Sequence, residues 1–365
     1  TRQRLKSAGA PEAVGAVEPP EDGWFDGVSL GSCVVRRFTD EMVGDRWMMW
    51  YSARPADFDK SVLPIASGCV GFAQSKDGIN WNRLAGDDRA GAVLGPNSDD
   101  WWWFDTQHVG VGDVHVMSSS VVQNSLGLYW MFYFGGDANE GQPLAEGGDA
   151  VVGANMAIGI ALSNDGIHWG RVEGEHSSGA VLEPQEGQLF VGWPQVVRMS
   201  SRPERWMMYY HALDTESGKF SIGLAESSNC IEWKNLGTCL SAGTAGSFYA
   251  GGVSARCVVT NPDSGSEWLM YFEAKDEEGR HTIGLARSKD GLKWEVHPTP
   301  VLSPSSEDEW DAGAVARPWL VPMDDGSARL FYVGRTDGPS GEQGIGCALS
   351  DGADWSCFKR LQLSL

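Results

Sequence analysis

VGFAQSKDGINW, residues 70–81, returns four more times along this chain: IGIALSNDGIHW (158–169), IGLAESSNCIEW (222–233), IGLARSKDGLKW (283–294) and the degenerate IGCALSDGADW (345–355). The closing tryptophans, Trp81, Trp169, Trp233, Trp294 and Trp355, fall 88, 64, 61 and 61 residues apart, the mark of a repeat architecture. Each copy reads as a strand rich in β-branched residues, a Ser-x-Asp-Gly turn and a Trp that opens the next strand.

Working outward, each phrase is preceded by an apolar run headed by Trp or Arg: WMMWYS (47–52), WMFYFG (130–135), WMMYYH (206–211), WLMYFE (268–273) and RLFYVG (329–334). A second run lies further upstream: SLGSCVV (29–35), VMSSSVV (116–122), VGWPQVV (191–197), VSARCVV (253–259) and VARPWLV (315–321). With a short polar strand downstream, the pattern gives four strands per unit and five units. The chain is therefore expected to be all-β, a five-bladed β-propeller of four-stranded antiparallel blades, which leaves only short protected strand edges. Residues 24–365 are expected to form one propeller domain, with residues 1–23, rich in Pro, Gly, Ala and Glu, as a strap or flexible lead.

The 47 Gly and 17 Trp supply turns and large side chains to fill the space between blades. A net charge of −21 makes nucleic acid and anionic membrane poor partners and favours a neutral small molecule such as an oligosaccharide. No run approaches the length of a membrane-spanning helix. The chain opens without Met or a signal-type apolar stretch, as expected of a soluble organellar or intracellular protein trimmed of a targeting segment; the sequence names no compartment. The seven cysteines, an odd number, read as free thiols inside strands, with a Cys230–Cys239 bridge across one hairpin as the alternative. No cofactor motif and no metal-ligand spacing stands out; Asp137-Ala-Asn-Glu-Gly-Gln lacks the later acidic ligand of a calcium loop.

Five blades, the Ser-x-Asp-Gly-x-x-Trp phrase and the W-x-M-Y-Y strands together resemble the arabinanase/levansucrase/invertase superfamily of propeller glycosidases, over about residues 24–365. The resemblance implies a central funnel with carboxylates at the heads of the first strands: an Asp-Pro pair in blade 1, another in blade 2 and a Glu before Pro in blade 3. Here those places read Gly31-Ser32, Ser118-Ser119 and Trp193-Pro194. Hydrolysis of a glycosidic bond needs two carboxyl groups flanking it, so the acids would have to come from neighbouring positions.

Asp26 and Asp113, at the mouths of their strands, and Glu273, at the end of a second strand, are the candidate catalytic acids. Asp26 belongs to Trp24-Phe25-Asp26, echoed by Trp103-Phe104-Asp105 and Trp310-Asp311, and a repeated turn element is the competing reading. Asp113 reads equally well as a strand-entry cap. Glu273 has Ser52, Gly135, His211 and Gly334 as counterparts in this alignment, so no repeated fold requirement accounts for an acid there. Trp193, His115, His211 and Arg317 are expected to bind the glycone, with Trp103, Asp105 and Asp311 completing the lining. Arg317 suits a planar carboxylate or phosphate contact, and its alternative is an internal ion pair. Trp193 is expected either to stack a sugar ring or to plug the axis.

Strand alternation forbids Trp101, Trp102 and Trp103 from all pointing inward, so the segment Trp101–Phe104 is expected to offer a contact surface to a protein partner. Long insertions in blades 1 and 2 fall in loops that share one face, the expected working face. Two classes follow: a divergent glycoside hydrolase or glycan phosphorylase acting in a top-face funnel, and a non-catalytic propeller serving as a glycan-binding or protein-assembly module.

Overall fold

The computed structural model describes residues 24–27, 29–40, 44–55, 62, 63, 65, 67–117, 127–141, 151–201, 203–261, 265, 267–306, 309–336, 343–352 and 354–361. Blade 1 comprises β1 (Ser29–Asp40), β2 (Gly44–Arg54), β3 (Cys69–Ser75) and β4 (Asn82–Leu84). In blade 2, β5 (His108–Met117) and β6 (Leu128–Gly136) are followed by a two-stranded ribbon, β7 (Glu140–Gly141) and β8 (Val151–Val152), then by β9 (Met156–Ser163) and β10 (Gly170–Val172). Blade 3 holds β11 (Gln188–Ser201), β12 (Glu204–Asp214), β13 (Phe220–Ser227) and β14 (Lys234–Leu240). Blade 4 holds β15 (Gly252–Thr260), β16 (Trp268–Lys275), β17 (His281–Ser288) and β18 (Glu295–Val296). Blade 5 holds β19 (Ala314–Pro322), β20 (Ala328–Arg335), β21 (Gln343–Ser350) and β22 (Phe358–Arg360). Every blade is a four-stranded antiparallel sheet of one contiguous stretch, and the first strands β1, β5, β11, β15 and β19 touch one another around the axis. Among the described residues, helix is confined to the single turn Arg89–Gly91.

The repeated phrase has a physical reason at each place. Its glycines, Gly71, Gly159, Gly223, Gly284 and Gly346, lie beneath aromatic rings: a Cβ on Gly71 would collide with Phe25 and Tyr51, and one on Gly346 with Trp310 and Tyr332. The serine and aspartate then build the turn. Ser75 Oγ accepts from the Gly78 amide at 2.9 Å, while Asp77 Oδ1 accepts from the Ile79 and Asn80 amides at 2.8 Å. Ser163 with Asp165, Ser227 with Asn229 and Ser288 with Asp290 repeat the arrangement. The residue after the Asp needs left-handed backbone, which Gly78, Gly166 and Gly291 supply without strain and which Cys230 adopts at φ 64°.

Adjacent blades are tied near the axis by a girdle of side-chain bonds to backbone. Asp113 Oδ2 of blade 2 accepts from the Val196 amide of blade 3 at 3.0 Å. Gln195 exchanges two bonds with Val258 of blade 4, at 2.7 and 3.1 Å, and Cys257 Sγ accepts from the Leu320 amide of blade 5 at 3.2 Å. Trp319 Nε1 donates to the Val35 carbonyl of blade 1 at 2.9 Å. Strand pairing makes Asp113, Gln195, Cys257 and Trp319 equivalent to Val34, which has no polar group. Arg36 closes the gap, donating to the Val114 carbonyl and to Asp113 Oδ1, both at 2.7 Å.

The pairing corrects the blade 2 alignment. The first strand there is β5, whose alternating HVGVGDVHV pairs with β6, not the 116–122 run; Ser118 and Ser119 lie outside the described residues. Its bulge falls at Gly112, where blade 1 has Gly31-Ser32, blade 3 Trp193-Pro194 and blade 5 Arg317-Pro318. The second strand shifts by one as well. Facing the first residue of each phrase stand Ser52, Phe134, His211, Glu273 and Val333, so Phe134 and Val333 replace Gly135 and Gly334 as counterparts of Glu273. All seven cysteines are free, so Cys230 and Cys239 are not bridged.

Candidate functional site

Three of the sequence candidates belong to one repeated buried element at the head of the blades. Asp26 accepts from Tyr51 Oη at 3.0 Å and pairs with Arg83 at 2.8 Å. Asp311 does the same with Tyr332 at 2.9 Å and Arg360 at 2.7 Å, and Asp105 pairs with Arg171 at 2.7 Å with Tyr133 alongside. All three aspartates are fully buried. Burial pushes the Asp26 and Asp105 carboxyls up while the facing arginines pull them down, and the outcome in both is a raised pKa. Blade 4 has Tyr249, Phe272 and Val296 in these places, so acid, phenol and guanidinium are replaced together. Trp103, the aromatic neighbour in blade 2, is buried against Gly179.

Asp113 and His115 are likewise engaged inside the fold. Besides Arg36 and the Val196 amide, Asp113 accepts from the Val114 amide at 2.7 Å and sits 3.0 Å from His115 Nε2. Burial opposes ionisation there, but His115, Arg36 and the backbone donors outweigh it and hold the carboxyl below its usual range. His115 pairs across the sheet with Trp130, near the start of β6, so it lies toward the end of the blade opposite the mouth.

Trp193, His211, Glu273 and Arg317 converge at the mouth of blades 3 to 5. Trp193 is sandwiched between Phe134 and His211, with ring centroids at 4.1 and 4.2 Å, and is 5% exposed. Its faces are therefore spent on packing, which leaves the indole edge; Nε1 is buried with no hydrogen-bond partner. The Arg317 guanidinium lies 5.6 Å from the same ring, reaching from blade 5 toward blade 3. Between them, Glu273 Oε1 is 2.7 Å from His281 Nδ1. Burial works against the Glu273 carboxylate, but the His281 bond, then Arg317 and Arg335, win and bring its pKa down to about 2. His211 is pushed well below the usual imidazole range by burial, then by Arg256 and Arg317, so it is neutral at pH 7.

Two features mark this mouth as built for something other than the fold. Trp193 and Arg317 both hold left-handed backbone, at φ 47° and 51°, directly before a proline, where non-glycine residues are strained. Buried polar atoms without partners also gather here: Trp193 Nε1, His211 Nδ1, Arg256 Nε and Nη1, Arg317 Nη1 and Arg335 Nε. Sequence reading missed Phe134, His281 and Arg335. His281 carried a signal, because alternation puts it on the face of β17 that holds Ile283, which pairs with Glu273.

No model of a known protein family matches the chain, and no curated protein matches it in sequence. Among solved structures it is similar to a thermostable family-43 glycoside hydrolase, 12% identical with a TM-score of 0.62, over 93% of this chain and 96% of that one. A second is from work on the GH130 family of mannoside phosphorylases, which contains glycoside hydrolases that target β-1,2 mannosidic linkages in Candida mannan. That structure is 13% identical with a TM-score of 0.62, over 95% of this chain and 96% of that one. A third is an N-acetylgalactosamine deacetylase from F. plautii in complex with blood group B trisaccharide, at 15% identity and a TM-score of 0.60, over 96% and 97% of the two chains. The chain shares a fold with these proteins. It is a five-bladed propeller, and the resemblance to the arabinanase/levansucrase/invertase propellers holds at that level. Within this propeller, the mouth of blades 3 to 5 offers one ionised carboxylate, three arginines and two ring nitrogens, an arrangement that can grip polar groups of a ligand. Among the described residues, no helix is long and apolar enough to cross a membrane.

Proposed function

We propose that this protein is a carbohydrate-recognising propeller that takes a glycan at the top-face mouth of blades 3 to 5. The observation that carries the reading is the convergence of Trp193, Glu273 and Arg317, three departures from the five-fold repeat, at one mouth where hydrogen-bonding atoms are left without partners. Similarity of fold to glycan-acting proteins supports a saccharide as the ligand class.

Recognition fits the geometry better than hydrolysis. A glycosidase needs a protonated acid and a second carboxyl group beside the bond. Glu273 is held ionised, with a pKa of about 2, while Asp26 and Asp113 are committed to arginines of the fold. Incubation with furanosides, fructans, β-mannosides and arabinans, with and without phosphate, is expected to give saturable binding by ligand-observed NMR and no new anomeric signals. Turnover that vanishes in Glu273→Gln would replace recognition with catalysis. Failure of every glycan to bind, neutral or uronate-bearing, would remove the reading altogether.

A second surface has its own observation. Trp101 and Trp102 are 85% and 52% exposed and meet edge to face at 6.0 Å, beside Asp99 and Asp100. An exposed aromatic pair suits a protein partner. Replacing both with Ala is expected to leave glycan binding unchanged and to abolish any co-purifying complex.

A further inference from the structure

The charge at the mouth does not balance. Arg317 and Arg335 lie on the paired strands β19 and β20, and among the described residues neither side chain makes a hydrogen bond or an ion pair. Three arginines elsewhere in the propeller are matched. Arg54, which stands in blade 1 where Arg335 stands in blade 5, gives its Nε and Nη2 to the carbonyls of Ser67 and Leu63 at 3.0 and 2.7 Å; Arg171 and Arg360 hold aspartates. Buried guanidinium N–H groups without acceptors are costly, and a fold tolerates them where a ligand completes them.

The acid nearest to hand, Glu273, already has His281 on one oxygen. With Arg256, whose Nη2 donates to the Trp193 carbonyl while its Nε and Nη1 have no partner, three guanidinium groups face that one carboxylate, so the mouth is cationic. Arg256 is engaged by the Trp193 backbone, which leaves Arg317 and Arg335 to meet an anion. The planar fork of arginine suits a carboxylate, and Trp193 Nε1 adds a donor at the edge of the same cluster. Although the chain carries −21 overall, surface charge beyond about 8 Å is largely screened at physiological salt, so the local excess decides what binds in contact.

We propose that Arg317 and Arg335 bind the carboxylate of a uronic-acid residue, so that the glycan recognised here is an acidic one. This rests on the glycan-binding reading above and names its ligand class.

The test is isothermal titration of the full chain with uronate-bearing oligosaccharides, each paired with its carboxyl-reduced counterpart, and with inorganic phosphate alone. The expected result is at least a tenfold preference for the acidic member of one pair. Arg335→Gln should bind the acidic and reduced members of that pair with equal affinity, as expected when one charge-assisted bidentate contact is lost. Arg335→Lys, which keeps the charge and loses the fork, should recover part of it and guards against a folding defect in the first variant. Equal binding of acidic and reduced sugars would overturn this inference and leave glycan recognition standing. Binding of neither sugar would overturn both. Phosphate binding that depends on Arg335 and exceeds that of every uronate would also overturn it.

Discussion

Arg317 of blade 5 lies with its guanidinium carbon 5.6 Å from the ring centroid of Trp193 of blade 3, and both residues hold left-handed backbone before a proline. They occupy equivalent bulges in their blades, so the strain is a property of the site and not of one loop. Replacing Arg317 with Gly relieves the backbone and removes a guanidinium that lacks partners. The variant is expected to be more stable than the parent by about 1 kcal/mol in urea unfolding while binding its ligand more weakly. A loss of stability would mean that the Arg317 side chain serves the fold.

Asp26 gives a sharp contrast between a structural and a functional acid. In Asp26→Asn the buried Arg83 loses its counter-charge, and the cost is expected to be about 3–5 kcal/mol, with ligand binding intact in the folded fraction. Copying blade 4 into blade 1, as Asp26→Tyr with Tyr51→Phe and Arg83→Val, removes the charges together and should recover most of that loss. Chemical denaturation of both variants measures it. A single variant of unchanged stability that no longer binds ligand would place Asp26 in the site instead.

The five blades, their four strands and the turn chemistry were legible because each rests on local periodicity and on Ser, Asp, Gly and Trp recurring at fixed offsets. The blade 2 register was not, since both 108–117 and 116–122 are valine-rich runs, and only pairing with β6 separates them. The same slip hid Phe134 as the counterpart of Glu273. The roles of Asp26, Asp105 and Asp311 were half visible as an echoed Trp/Phe-Asp pair; their partners Arg83, Arg171 and Arg360 lie on the fourth strands, too far along the chain for spacing to show. The mouth was legible only as a set of departures from the repeat, because a ligand site has no reason to repeat.

Asp113 ties three blades together through Arg36, its own strand and the Val196 amide. Asp113→Ala strands both a guanidinium and a buried amide, and a loss of about 3–5 kcal/mol is expected. Asp113→Asn keeps an acceptor for the amides and should lose roughly half as much. Equilibrium unfolding of the pair distinguishes a girdle from a catalytic acid, whose removal would leave stability unchanged.

Acid should destabilise the protein in two windows of different origin. His108 is fully buried between Ser67 Oγ and the Gly153 carbonyl, each at 2.9 Å, and burial pushes its pKa down to about 4. A folded-state pKa below the unfolded one means the unfolded chain takes up the proton first. Stability is therefore whole above about pH 6.5 and falls as pH drops from there to about 4, by on the order of 3 kcal/mol in all, and no further below. His211, also depressed by burial, loses stability in the same direction below 6.5. Glu273 and Asp77, both lowered to about 2, keep their contribution down to about pH 4.5 and lose it only below that. Urea midpoints should thus decline between pH 6.5 and 4.5 in the parent, and less steeply in His108→Gln, with the two curves running parallel below pH 4. A flat midpoint across the first window would show that His108 takes up its proton inside the fold at little cost.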